Sequence, residues 1–434
     1  MMENQSKMQC DKPIPAGYKP TEVGVIPEDW SVEPLTIITE PKRPISYGIV
    51  QTGPCVVNGV PCIRVVDISN GKIQTDNLIT TSEKISASYR RTTLKKGDIV
   101  IPLRGKVGDI AIVDKYTQGA NLTRGVALIA LKKEYDSRYI RQYLSCKDSA
   151  DRFLASMNGS ALQEITIATL RRFPLALPSS LKEQIAIGNV LSDTDALITE
   201  LEQLITKKQV IKTATMQQLL TGRTRLPQFA KYHDGAVKGY KTSELGKIPE
   251  DWKINSIGAL FSISAGGDLR ADEFSDIKSE LHPHPIYSNA ISNFGLYGYC
   301  KSYDYLGDYL TITARGGIGH AVARKGSFCA IGRLLVLSPK GISNVKFCEE
   351  YINQYLSFAN ESTGVPQLTA PQVAKYSVIC PSIEEQTAIA TILSDMDAEL
   401  ATLEQKFNKV RDIKQGMMQQ LLTGRIRLPL EHQP

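Results

Sequence analysis

Two long segments of the chain place apolar residues at alternating intervals of four and three. In residues 385–429 every position of the series is apolar: Ile389, Leu393, Met396, Leu400, Leu403, Phe407 and Val410. In residues 183–227 the polar Thr194 and Lys208 interrupt a series otherwise formed by Ile187, Leu191, Ile198, Leu201 and Ile205. This alternation is the seam of a coiled coil. Prolines before the segments and glycines after them predict two long helices, the first from about Gln184 to Leu220.

The two segments belong to an internal repeat. Residues 183–227 match residues 385–429 at more than half of their positions without a gap. A shorter pair, which we call the tryptophan motif, is GYKPTEVGVIPEDW at 17–30 and GYKTSELGKIPEDW at 239–252, with ten of fourteen positions identical. The intervening bodies, 31–178 and 253–380, share little beyond a general plan. The chain therefore contains one arrangement twice, with a different body in each copy.

The repeat also predicts how the helices pack. A seam of this length would face water unless another element covers it, and two such helices in one chain can cover each other. If the halves are related by a pseudo-two-fold axis, the result is an intramolecular antiparallel coiled coil. The alternative is that each apolar stripe packs on its adjacent body.

The bodies themselves show a strand-rich pattern. Two apolar runs separated by a glycine-containing turn predict a hairpin at 96–113 and another at 309–323, while helices are predicted at about 137–155 and 349–359. The fold class is therefore α/β (α+β). We divide the chain into a first body with its tryptophan motif (1–180), a central helix (181–225), a second body (226–382) and a carboxyl-terminal helix (383–425).

Charge is unevenly distributed between the bodies. The formal net charge is only +6, but residues 31–178 hold 21 Lys and Arg against 13 Asp and Glu, whereas residues 253–380 hold 11 against 10. A local basic excess is typical of a nucleic-acid interface, with an ordinary solvated surface as the alternative. No window resembles a membrane helix, the first residues lack an apolar core, and the eight cysteines are dispersed, which together predict a cytoplasmic protein.

Sequence motifs for catalysis are missing. The chain contains no P-loop, no G-x-G-x-x-G after a strand, no Asp/Asn-Pro-Pro-aromatic tetrapeptide and no H-E-x-x-H. His282 and His284 form a close pair without further ligands nearby, so we predict no metal site. The carboxylate pairs Asp193 with Asp195 and Asp395 with Asp397 are expected to complement the amino-terminal helix dipoles. No catalytic residue is predicted.

The doubled motifs resemble those of one family, the specificity subunits of type I restriction-modification enzymes. The resemblance covers essentially the whole chain. It rests on three repeated features: the GYK…IPEDW motifs, the helix starts that contain EQ, then LS, then two aspartates, and the MQQLLTGRxRLP helix ends. It implies two target-recognition domains, each binding one half of a split DNA sequence, and a coiled-coil spacer that fixes the unread gap. Two adenine-methyltransferase subunits and two restriction subunits are the implied partners. S-adenosylmethionine, ATP and Mg²⁺ are implied on those partners, with no cofactor in this chain.

Base contacts are expected from glycine-flanked loops that carry Arg, Lys, Asn, Gln and Tyr. The candidates in the first body are Tyr47, Arg90, Arg91, Arg104, Lys106, Asn121, Arg124, Asn158, Ser160 and Gln163. Those in the second body are Tyr287, Asn289, Arg315, His320, Arg324, Arg333, Thr363 and Gln367. Two other functions stay open: a fused restriction-methyltransferase, which would need donor motifs that this chain lacks, and a scaffold or decoy that binds methyltransferase subunits without reading DNA.

Overall fold

The computed structural model describes residues 14–105, 108–156, 164–341, 343–358 and 367–429. The chain folds into two compact units: unit 1 comprises residues 1–202 and 405–434, and unit 2 comprises residues 203–404. The boundary between the units falls inside both long helices. Each unit therefore contains one body and parts of both helices.

Unit 1 is built from short strands and short helices around a buried apolar core. Its strands are β1 Tyr18–Thr21, β2 Gly24–Pro27, β3 Ser31–Pro34, β4 Ser46–Tyr47, β5 Val60–Ile63, β6 Ile68–Ser69, β7 Lys72–Ile73, β8 Ile79–Thr81, β9 Ile99–Pro102, β10 Ala111–Ile112, β11 Asn121–Leu122, β12 Val126–Ile129 and β13 Pro174–Leu177. Its body helices are α1 Leu35–Ile38, α2 Glu83–Ser88, α3 Ser137–Ser145, α4 Lys147–Ala155 and α5 Ile167–Arg172.

The long helix α6 Leu181–Leu219 leads from unit 1 into unit 2, and α10 Ile383–Leu421 leads back. The strands of unit 2 are β14 Tyr240–Ser243, β15 Gly246–Pro249, β16 Lys253–Ser256, β17 Phe261–Ala265, β18 Phe274–Ser275, β19 His284–Tyr287, β20 Leu296–Cys300, β21 Tyr305–Ile312, β22 Ala321–Ala330, β23 Leu335–Pro339 and β24 Ser377–Cys380. Its body helices are α7 Ile257–Leu260, α8 Val345–Tyr355 and α9 Ala370–Ala374.

The sheets confirm the predicted hairpins and the mixed α/β class. Strand β9 pairs antiparallel with β10 in a four-stranded sheet of order β10-β9-β12-β4, beside a three-stranded sheet of order β11-β5-β8. In unit 2, β21 and β22 form the longest hairpin of a seven-stranded sheet ordered β17-β23-β21-β22-β19-β20-β18. Each tryptophan motif forms its own hairpin, β1-β2 or β14-β15. The closing strands β13 and β24 pair with β3 and β16.

The helix seam is confirmed by burial within each unit. Every predicted seam position in α6 and α10 is buried or half-buried. In unit 1, Ile187 and Leu191 pack in one core with Leu421 and Leu422 near the end of α10. In unit 2, Ile389 and Leu393 share a core with residues from the end of α6, namely Met216, Leu219 and Leu220. Because the start of one helix packs beside the end of the other, the helix segments in each unit run antiparallel.

Each unit also contains an arginine joint, in which the arginine after one long helix binds two carboxylates. In unit 2, Arg225 contacts Glu385 at 2.7 Å and Asp251 at 2.8 Å. In unit 1, Arg427 contacts Glu183 and Asp29 in the same way. All of these residues belong to the repeated segments.

A glycine and a tyrosine complete each joint. Tyr240 donates its hydroxyl proton to the Gly222 carbonyl at 3.0 Å, and Tyr18 does the same to Gly424. Both glycines have positive φ angles, and a Cβ at either would lie 2.5 Å from a proline ring of the tryptophan motif. A larger residue would therefore force the helix end away from the hairpin.

The role predicted for the paired aspartates is wrong. Asp195 lies well inside α6, where its carboxylate binds Lys414 of α10 at 2.6 Å and Arg141 of the body at 2.6 Å. Asp397 takes the equivalent position in unit 2, paired with Lys212. These carboxylates link the helices instead of complementing a helix terminus. Burial alone would raise the pKa of Asp195, but the positive charges of Arg141 and Lys414 lower it below its ordinary value of 3.8.

Replacing Asp195 by asparagine is expected to lower the free energy of unfolding of unit 1 by about 1.5–3 kcal/mol at pH 7, because charged hydrogen bonds are lost. Since the pKa of Asp195 is depressed in the folded state, its stabilisation is present above pH 3.8 and disappears as the pH falls through the lowered value. Urea unfolding at pH 7 and at successively lower pH values below 3.8 measures the difference. Asp193→Asn, at an exposed position two residues earlier, is the control. An equal loss in both variants, or a loss independent of pH, would contradict the pairing.

One predicted helix is broken in two. The segment 137–155 forms α3 and α4, which meet at Cys146 with an extended backbone. The Cys146 Sγ accepts a hydrogen bond from the Ser149 amide at 3.4 Å and so caps the second helix. Cysteine is a rare cap, which explains why the sequence pattern gave no sign of the break.

Candidate nucleic-acid interface

Both units present an arginine–glycine loop after a central strand. In unit 1, Arg104 follows β9, and Gly105 has a φ of +75°. In unit 2, Arg315 follows β21, and Gly316 has a φ of +71°. The left-handed glycine turns the chain immediately after the arginine in each case. Two bodies with little sequence similarity therefore hold the same residue pair in the same place.

The closing segment supports each of these loops. The backbone of Arg104 forms an antiparallel β-bridge with the backbone of Glu164. The Ile165 amide donates to the Leu103 carbonyl at 2.7 Å. The backbone of Arg315 forms the equivalent β-bridge with the backbone of Gln367. The Leu368 amide donates to the Ala314 carbonyl at 2.9 Å. The Gln367 side chain also accepts a hydrogen bond from Arg315 at 3.4 Å. Two predicted base-contacting residues, Arg315 and Gln367, thus lie side by side.

In unit 1, the arginine–glycine loop lies beside the loop of Arg124 and Gly125, which is bonded in turn to the segment after β4. The Arg104 guanidinium lies against Gly125, because a Cβ there would come within 3.4 Å of Nε. The neighbouring Arg124 is exposed, and its amide donates to Ile49 at 2.9 Å. Tyr47, also exposed, lies on β4 directly beside Ala127 of β12. Tyr47, Arg104 and Arg124 therefore lie on neighbouring segments of unit 1.

Asn121 has a different role from the one predicted. Its side chain is fully buried, accepts a hydrogen bond from Thr92 Oγ1 at 2.7 Å and donates to Ser86 Oγ at 3.1 Å. These bonds fix the turn that carries the exposed Arg90 and Arg91. Asn121 is thus a framework residue that holds two other candidates in position.

Asn289 likewise serves the framework of unit 2. Its amide donates to the Gly332 carbonyl at 2.7 Å, and its carbonyl oxygen accepts from the Ala314 amide at 2.6 Å. One side chain thereby joins the arginine–glycine loop to the loop of the exposed Arg333. Both ends of its amide are used inside the protein, so Asn289 positions the loops.

Arg324 and Tyr287 lie beneath these loops. The Arg324 guanidinium lies 3.7 Å from the centre of the Tyr287 ring, and the Arg324 residue is only 7% exposed. Burial lowers the pKa of Arg324 from its ordinary value. It donates to the Thr311 hydroxyl at 3.0 Å and to the Phe294 carbonyl at 2.6 Å. Arg324 therefore supports a loop from below and does not reach the surface.

Of the remaining candidates, only His320 lies within the described residues. His320 is half-buried at the end of the arginine–glycine loop, where its amide donates to the Thr313 hydroxyl at 2.9 Å. Five candidates lie outside the described residues: Lys106, Asn158, Ser160, Gln163 and Thr363. Phe294 and Ile291 are exposed but are not among the predicted residues, because the prediction is confined to polar side chains and tyrosine.

Metal-binding clusters and membrane-spanning helices are both absent from the described part of the chain. It contains no group of three or more His, Cys, Asp or Glu side chains that could hold a metal ion. None of its helices is both long and apolar enough to cross a membrane.

Comparison with known proteins places the chain in a family. The model of the type I restriction modification DNA specificity domain matches twice, at residues 52–213 and 249–411. The chain belongs to this family of type I specificity subunits. The two matches cover most of the chain: the first spans most of one body and the second spans the whole of the other, each together with much of the helix that follows.

Individual relatives agree with the family assignment. A Methanocaldococcus jannaschii chain named as the MjaX type I restriction enzyme specificity subunit is 26% identical over 452 residues, covering 95% of this chain and 97% of that protein. The Escherichia coli EcoBI specificity subunit is 38% identical over 106 residues, covering 24% and 22%. The crystal structure of the type I system S subunit from M. genitalium has a similar fold, with a TM-score of 0.62, 16% identity and coverage of 90% and 96%.

Proposed function

We propose that this specificity subunit reads a bipartite, asymmetric DNA target, with one half-site for each unit. The observation that carries the proposal is the pair of arginine–glycine loops, held by equivalent bridges in two bodies whose other loops differ. Arginine is the side chain best suited to bind guanine through two hydrogen bonds in the major groove. Different surrounding loops would give the half-sites different sequences.

The subunit itself carries no catalytic step in this proposal. Two adenine-methyltransferase subunits dock on it, and the long helices set the number of unread base pairs between the half-sites. S-adenosylmethionine binds the methyltransferase subunits, whereas ATP and Mg²⁺ serve two restriction subunits. The assembly acts in the cytoplasm, where its DNA target lies.

Methylation mapping tests the proposal directly. The chain is co-expressed with its cognate adenine methyltransferase in a host without adenine methylation, and methylated adenines are located across the genome. We expect a single split motif with two different halves. A methyltransferase that stays bound to this chain while methylating no defined motif would favour the scaffold or decoy function instead. Methyltransferase expressed without this chain is the control.

A further inference from the structure

One exposed loop of unit 2 holds an aromatic residue in an unfavourable backbone conformation. Asn293 and Phe294 have φ angles of 49° and 52°, and Gly295 follows at 78°. Asparagine and glycine tolerate the left-handed region, but a bulky residue such as phenylalanine rarely occupies it. Phe294 is nevertheless 67% exposed. Burial of the ring therefore does not account for the conformation.

The loop is held in place from below by several bonds. Arg324 donates to the Phe294 carbonyl at 2.6 Å, and the Ser288 amide donates to the Gly295 carbonyl at 2.8 Å. Space at Gly295 is tight, since a Cβ would lie 2.7 Å from the Ser288 carbonyl oxygen. A buried guanidinium and a close backbone contact thus hold the backbone from which the ring projects.

The same loop adjoins the arginine–glycine loop. Ile291, which is 53% exposed, packs against Gly317, where a Cβ would come within 2.3 Å of the Ile291 side chain. Gly317 is two residues from Arg315. An exposed aromatic ring and a neighbouring aliphatic side chain therefore lie on one loop, which contacts the proposed DNA-binding loop.

We propose that Phe294 makes an apolar contact with a base in the half-site that unit 2 reads. This inference rests on the proposed function. DNA-binding proteins use apolar side chains in two ways that share this chemistry: the side chain touches a thymine methyl group, or it enters a base step and partly unstacks it. A strained loop suits either contact, because the backbone that carries the ring is held in place before DNA arrives. The exposed Arg315 and Arg333 supply the positive charge that attracts the duplex.

The test compares two asparagine variants in the complex with the methyltransferase. Phe294→Asn removes the ring but retains a residue that tolerates the left-handed backbone. Leu306→Asn is the matched control, because Leu306 is 63% exposed on the regular strand β21 of the same unit. Affinity is measured on a duplex that carries the motif found by methylation mapping. We expect Phe294→Asn to weaken binding about tenfold or more, with an unchanged or higher Tm, and Leu306→Asn to bind as the wild type does.

Modified duplexes distinguish the two forms of contact. Uracil in place of thymine should reproduce the loss if the ring touches a methyl group, whereas 2-aminopurine at the contacted step should brighten on binding if the ring unstacks a base. Wild-type affinity of Phe294→Asn, or an equal loss in Leu306→Asn, would overturn the inference while leaving the proposed function intact. If the wild-type complex methylates no split motif, both fail.

Discussion

Replacement of Arg225 by alanine is expected to lower the free energy of unfolding of unit 2 by about 3–5 kcal/mol, because it leaves a buried carboxylate without its counter-ion. The Glu385 side chain is only 2% exposed and that of Arg225 only 7%. Besides Arg225, Glu385 accepts a hydrogen bond from the Trp252 ring nitrogen at 3.1 Å. That neutral donor cannot balance the carboxylate charge once the arginine is gone.

The two tryptophans of the chain make the measurement specific. Trp30 and Trp252 are both buried, one beside each arginine joint, so the fluorescence of Trp252 in a Trp30→Phe background follows unit 2 during urea unfolding. Trp30 Nε1 has no hydrogen-bond partner within the described structure, so the background substitution removes no such bond. Arg223→Ala, two residues away and exposed, should leave the transition unchanged.

The equivalent variant in unit 1 provides an internal comparison. Arg427 binds a similarly buried carboxylate, Glu183, but the Arg427 side chain is 43% exposed. Water can therefore approach this joint, and Arg427→Ala is expected to destabilise unit 1 by less than Arg225→Ala destabilises unit 2. A loss in unit 2 that is equal to or smaller than the loss in unit 1 would show that burial does not set the strength of these joints.

Loss of a single loop arginine is expected to change one half of the DNA target and not the other. Arg104→Ala should weaken discrimination in the half-site read by unit 1, and Arg315→Ala should do the same for unit 2. The expected loss is about 1–3 kcal/mol for the contacted base pair, because two hydrogen bonds to guanine disappear. Duplexes altered in one half-site at a time, bound by the purified complex with the methyltransferase, separate the two effects.

Exposed basic residues outside the loops serve as controls for this experiment. Lys325 lies on β22, away from the turn of its hairpin, and Arg172 ends α5 in unit 1. Their alanine variants should alter affinity little and specificity not at all. If Arg104→Ala and Arg315→Ala weaken binding equally on every duplex, with only a shallower salt dependence, the arginines contact phosphates and not bases.

The repeated segments were the most predictable part of the molecule. Seam residues such as Leu191 and Leu393 follow a fixed period, and that period is set by the geometry of the helix itself. The correspondence of the arginine–glycine loops could also be anticipated, because a short strand–turn–strand pattern surrounds both. Local rules are sufficient where the structure depends mainly on residues near one another in sequence.

The roles of the polar side chains in the bodies could not be predicted in this way. Asn121, Asn289 and Arg324 are of residue types that commonly contact bases. In this protein each side chain instead forms hydrogen bonds that hold a loop in position. Whether an amide faces solvent or a backbone carbonyl depends on segments far away in the sequence. Asn289 is a clear case, since its partner Gly332 lies 43 residues further along the chain. Periodicity and residue type contain no information about such partners.

The arginine joints have a consequence for how this protein can evolve. Their ionic partners, glycines, prolines and tyrosines all come from repeated segments, and none comes from the variable bodies. A gene that encodes the same joint twice offers two stretches of matching DNA on either side of each body. Recombination there would replace a whole body while leaving both joints intact. New combinations of half-sites could then arise in one genetic step, without a folding cost at the junctions.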